Sequence, residues 1–121
     1  MSGLSTYSEE ILLDALLALA PTFIALFTDD PTDANTGTEV AAASYIRKAI
    51  TLVRTDSSLN NTNSVSFDES TEAWGTVTHC AIFDSETGGN QIINETLVNT
   101  KSIGVGETMT FPIGSLPFTL D

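Results

Sequence analysis

Hydrophobic and polar positions along the chain separate one helical segment from a succession of short strands. From Thr76 to Phe83 the residues are β-branched, aromatic or small, with no carboxylate before Asp84. The connector Ser85-Glu86-Thr87-Gly88-Gly89-Asn90 supplies the glycine and asparagine that a reversal needs before Gln91-Ile92-Ile93 resumes the apolar pattern. Strict alternation sends Val77, His79, Ala81 and Phe83 to one face and Thr76, Thr78, Cys80 and Ile82 to the other. Neither face is strongly polar, so this strand is expected inside a sheet, with others pairing around it.

Residues 5–20 predict the one substantial helix. Thr6 is expected as N-cap with Glu9 at capping-box spacing, Glu9 and Glu10 sit in the first turn where the helix dipole favours negative charge, and Pro21 supplies the stop. From Ile11 onward only Asp14 is polar, and such an apolar surface is wider than one face of a sheet requires. Either the domain wraps the helix on most sides, or a neighbouring subunit or a different particle protein covers part of it. The second is the expectation here, with Leu12, Leu13, Leu16 and Leu17 as candidate assembly contacts.

The remainder reads as strands and turns. Residues 22–28 form a buried aromatic-rich strand and 29–44 a long loop of Asp, Thr, Asn, Pro and Gly. A strand follows at 45–53, with Ile46, Lys48, Ile50 and Leu52 on one face, then a polar connector at 56–64 and a short strand at 65–67. Beyond the central hairpin, 92–97, 101–105, 107–113 and 116–120 give further short strands between glycine-containing turns. About seven or eight short strands with closely spaced turn signals predict an all-β fold, an antiparallel β-sandwich with one N-terminal α-helix. The expected organisation is a single domain over 1–121, with the helix at 5–20 and the sandwich at 22–121.

Sixteen acids against Arg47, Lys48, Arg54 and Lys101 give a formal net charge of −12. That field repels phosphate backbones, so no nucleic-acid partner is expected. Asp14 and Pro21 interrupt the apolar run at 11–27, so no membrane insertion is expected, and Met1-Ser2-Gly3 lacks the basic start of a secretory leader. With Cys80 alone there is no internal disulfide, which fits assembly in a reducing cytoplasm. The three cations between 47 and 54 are expected to pair with carboxylates of the same chain.

Candidate chemistry is sparse. His79 is the only histidine and its neighbour Cys80 points to the opposite face, which makes a catalytic dyad or a zinc site geometrically poor. Asp29, Asp30, Asp33, Asn35 and Glu39 invite a calcium reading, but glycine falls one position early for an EF-hand loop, so an ordinary Asx-turn loop is expected. No catalytic residue, metal or cofactor is assigned. Asp29, Asp30, Asp33, Glu39 and Trp74 remain as candidate external contacts, Trp74 either as a sugar-stacking platform or as core.

The order of several motifs carries a resemblance. Leu26-Phe27-Thr28-Asp29-Asp30-Pro31-Thr32, Gly37-Thr38-Glu39-Val40, Ser44-Tyr45-Ile46-Arg47-Lys48-Ala49, Trp74-Gly75-Thr76-Val77-Thr78-His79 and Ile82-Phe83-Asp84 together resemble a family of small virion proteins of tailed bacteriophages, labelled tail fibre or minor tail protein. The resemblance runs from about Leu4 to Leu120. It implies a non-enzymatic virion component, a tail fibre or tail-tip subunit first and a capsid-surface decoration (cement) protein next. Association with itself, as a trimer, and with other virion proteins of the tail or capsid is expected. The alternative from a different class is a receptor-binding module that reads host glycan through Trp74 and the long loops.

Overall fold

The computed structural model describes residues 5–19, 21–32, 34–55, 58–114 and 118–119. A single helix, α1 (Thr6–Leu17), precedes β1 (Thr22–Phe27), β2 (Lys48–Ile50), β3 (Leu52–Thr55), β4 (Ser58–Asn61), β5 (Val65–Ser66), β6 (Gly75–Phe83), β7 (Gln91–Ile103), β8 (Thr110–Phe111) and β9 (Phe118–Thr119). These strands form a four-stranded sheet of order β2-β1-β6-β7, a three-stranded sheet β3-β4-β9 and the pair β5-β8. Among the described residues every pairing is antiparallel, no sheet closes into a barrel and there is one helix, so the chain is all-β with an N-terminal helix.

The cap lies one residue before its expected place. Ser5 keeps an extended backbone (φ −72°, ψ 161°), and its Oγ accepts from the Ser8 N–H at 3.2 Å. Thr6 already has helical geometry, and an N-cap must stand outside the helix to turn its oxygen back onto the first-turn amides. The helix ends at Leu17 with Ala18 as C-cap, short of Pro21.

Three strand boundaries differ from the sequence reading. The stretch 45–53 is not one strand: β2 belongs to the four-stranded sheet and β3 to the three-stranded one, and the chain changes sheet at Thr51. Thr51 is held there by its N–H to Asn63 Oδ1 (3.0 Å) and its carbonyl to the Thr62 N–H (2.8 Å). The stretch 56–64 contains β4, whose Asn61 is buried and donates from Nδ2 to the carbonyls of Asn63 and Pro112, both at 2.9 Å. Past the hairpin, the expected strands 92–97 and 101–105 are joined in β7.

The central position of β6 is confirmed, for it pairs with β1 on one side and β7 on the other. Its faces depart from strict alternation at one point. Val77 lies with Cys80 and Ile82 in the main core, while Ala81 and Phe83 lie on the opposite face with Ala25 and Phe27. The β6–β7 register shifts between Val77 and His79, and such an irregularity re-aims a side chain. The main core brings Leu13 of α1 together with Ile24 and Leu26, Leu59, Val65, Ile103, Phe111 and Phe118, so all three sheets and the helix share it.

Candidate functional site: a strapped sheet face and an outward apolar helix

The second face of the four-stranded sheet is covered by the long loop. Phe27 and Phe83 stack there, with ring centroids 6.1 Å apart. The loop begins and ends on β1: the Thr28 N–H donates to the Thr38 carbonyl at 3.0 Å, and Glu39 forms an isolated bridge with Phe27. Gly37 passes so close to Pro31 that a Cβ would lie 2.6 Å from Pro31 Cα. Across the sheet, the Thr32 carbonyl accepts from Gln91 Nε2 at 2.8 Å and Asn94 Nδ2 at 3.3 Å.

Carboxylates of this loop brace it. Asp30 accepts from the Thr32 N–H two residues on at 2.9 Å, the Asx-turn behaviour expected of this loop, whereas Asp29 accepts from the Thr38 N–H nine residues on at 2.5 Å and ties the two ends of the loop together. Asp33 lies outside the described residues. Glu39 faces Arg47, whose Nε and Nη2 reach its two oxygens at 2.8 Å each. The same guanidinium donates from Nη1 to the carbonyls of Ser85 (2.9 Å) and Gly88 (2.8 Å) and sits 3.9 Å over the Phe83 ring. Tyr45 completes the cluster, donating to Glu39 at 2.5 Å and accepting from the Leu26 N–H at 3.0 Å. Burial, reinforced by the Glu39 hydrogen bond and charge, pushes the phenol well above its ordinary range.

Open clefts flank this cluster, one of about 310 Å³ beside Ala41, Tyr45, Ile46 and Thr87, another of about 210 Å³ floored by Phe27 and Phe83. The Arg47, Glu39 and Tyr45 groups between them are spent on one another and on backbone, an arrangement that fixes shape. Among the described residues, no three His, Cys, Asp or Glu side chains converge as a metal ion requires.

Trp74 is core. It is 5% exposed, packs edge-on to Tyr45 and Phe67, and donates from Nε1 to Ser44 Oγ at 3.0 Å. Ser44 in turn donates from N and Oγ to Glu72, and those bonds hold the Glu72 carboxyl below its usual range. The sugar-stacking alternative for Trp74 is thereby corrected, since no ring face is free. His79 Nδ1 meets Thr78 Oγ1 at 2.8 Å, and burial pushes the Cys80 thiol up to about 12.

The candidate helix contacts separate by depth. Leu13 is fully buried in the chain's own core, so it is corrected from interface to core; Leu16 and Leu17 are half-buried against that core and line a groove of about 220 Å³ with Ile50 and Leu52. Leu12 is 43% exposed, and with it stand Tyr7 at 74%, Ile11 at 50% and Leu19 at 48%. Tyr7, Ile11 and Leu19 are absent from the sequence selection, although their spacing of four and eight was a usable signal. On the opposite flank Arg54 of β3 holds Asp14 (Nε to Oδ1, 2.7 Å) and Glu10 (Nη1 to Oε2, 3.8 Å). No helix of the described residues is long and apolar enough to cross a membrane.

Residues 3–119 match a protein family described as Podophage GP4 fiber I protein gp80. No curated protein matches the chain.

Proposed function

The chain belongs to the podophage GP4 fiber I protein family, and from that premise we propose that it is a non-enzymatic, one-domain structural subunit of the tail fibre or tail tip. It is assembled in the host cytoplasm and works by occupying a place in an oligomer. The match over residues 3–119 carries this reading. Two features of the site support it. Polar side chains that could serve chemistry are consumed in bracing the loop, as in the Arg47, Glu39 and Tyr45 cluster. Apolar side chains that a solitary domain buries are instead exposed along α1.

Antibody-gold labelling of intact particles tests the reading. Label at the tail is the expected result. Label spread over the head would replace it with capsid-surface decoration.

A further inference from the structure

The long loop contains the one Asp–Pro bond of the chain, Asp30–Pro31, and Asp30 is exposed. An aspartate carboxylate can attack the carbonyl carbon of its own residue, because the two groups are close enough to close a five-membered ring. Proline favours that attack, since its nitrogen belongs to a tertiary amide and departs as a secondary amine. Here the side chain is already folded back along the bond. Asp30 Oδ1 accepts from the Thr32 N–H at 2.9 Å, which closes a ring around the Asp30–Pro31 linkage, while Oδ2 has no hydrogen bond among the described residues. Gly37 lies against the same linkage, so close that a Cβ there would stand 2.7 Å from the Asp30 carbonyl oxygen and 2.8 Å from the Pro31 nitrogen. Side chain and peptide bond are thus held in one relative orientation, where a flexible chain would first have to find it.

We propose that Asp30–Pro31 is a self-cleavage site in mild acid, and that the cut protein stays folded as two pieces. The Asp30 carboxylate forms a C–O bond to its own carbonyl carbon, the C–N bond to Pro31 breaks, and the proline nitrogen takes a proton from solvent acid. One water then opens the cyclic anhydride and leaves Asp30 with a free α-carboxyl group. Nothing is oxidised or reduced, and water is the only reactant consumed. Both new ends are pinned. On one side Asp29 holds the N–H and the hydroxyl of Thr38, and Thr28 donates to the Thr38 carbonyl. On the other, the Pro31 carbonyl accepts from the Thr36 N–H at 2.7 Å, and the Thr32 carbonyl from Gln91 and Asn94. The shorter piece keeps Leu13 of α1 and the whole of β1, which lies between β2 and β6 with Ile24, Ala25 and Leu26 fully buried. Its hold on the remainder is therefore the core and the sheet, not the loop.

Incubation of the full chain at stepwise lower pH tests the proposal, with strand content followed by circular dichroism and products by mass spectrometry. While the strand signal is still native, one cut is expected, into residues 1–30 and 31–121. It should be at least about tenfold faster than in the same acid with denaturing urea. Asp30→Asn, whose amide oxygen preserves the bond to the Thr32 N–H, should stay whole. Returned to neutral pH, the two pieces should elute together in gel filtration at the volume of the uncut protein. A chain that unfolds before any cut appears, a rate no higher when folded than in urea, or an Asp30→Asn protein cut as fast as wild type would overturn the proposal. Pieces that elute apart would overturn it too, by showing that β1 needs the covalent loop to stay in place. None of these results depends on where antibody labels the particle, so the fibre reading stands or falls separately.

Discussion

Arg47 is buried in an acidic protein because one planar guanidinium ties the end of the long loop to the hairpin turn. It takes Glu39 at the end of the long loop, the Ser85 and Gly88 carbonyls of the hairpin turn, and the Phe83 ring beneath them. A lysine ammonium has the charge without the fork, and so cannot serve the carboxylate and both carbonyls together. Arg47→Lys should therefore destabilise by about 2 kcal/mol, and Arg47→Met by about 3 kcal/mol, with Glu39 partly open to solvent keeping both figures moderate. Urea midpoints with unchanged slope would report these losses, and a loss under about 0.5 kcal/mol would mean that water substitutes for the guanidinium. Tyr45 gives a pH dependence at the same place. Its folded state holds a proton that the unfolded chain releases above the ordinary phenol value of 10, so its contribution is complete below pH 10 and is lost as pH rises beyond it. Buried Cys80 adds its own fall from about pH 9, so the informative quantity is the difference between wild type and Tyr45→Phe. That variant should show a shallower alkaline loss. In a Tyr7→Phe background, where Tyr45 is the only tyrosine, phenolate absorbance should appear only as the protein unfolds.

At the scale of elements, the helix start discriminates between two neighbouring residues. Ser5 Oγ holds a first-turn amide while Thr6 is already inside the helix, so Ser5→Ala should lower stability by about 1 kcal/mol and Thr6→Ala by much less. Equal losses in thermal melts would return the cap to Thr6. What the sequence disclosed here follows from how strongly each element is patterned. Both β1 and β6 were legible because uncharged runs buried on two faces leave few alternatives. By contrast β4 was not, since Ser58, Asn60 and Asn61 look like a connector and only the tertiary partners of Asn61 make its amide a strut. The break at Thr51 and the register shift beside Val77 have no local signature, because both arise from which sheet the chain must reach next. For α1 the excess of apolar residues was plain, but a helix apolar on nearly every side does not say which side faces inward. Arg54, forty residues after Asp14, decides that, placing Leu13 inside and Ile11 outside.

At the scale of the whole molecule, cations and acids balance locally but not globally. Arg47, Lys48 and Arg54 pair with Glu39, Asp68, Asp14 and Glu10, as the sequence led one to expect, yet the formal charge remains −12. Salt therefore acts on two opposed quantities. It weakens the pairs, of which Lys48–Asp68 and Arg54–Asp14 are open to water and contribute little to begin with. It also screens the mutual repulsion of the acid excess, which the compact state concentrates and the unfolded chain relaxes. Because the screening length falls from about 30 Å at 0.01 M to about 8 Å at 0.15 M, repulsion across the whole domain is removed well before contacts at bonding distance. The repulsion should dominate, and the melting temperature of the dilute protein should rise by a few degrees over that range. A falling melting temperature would assign more of the stability to the ion pairs than their exposure allows.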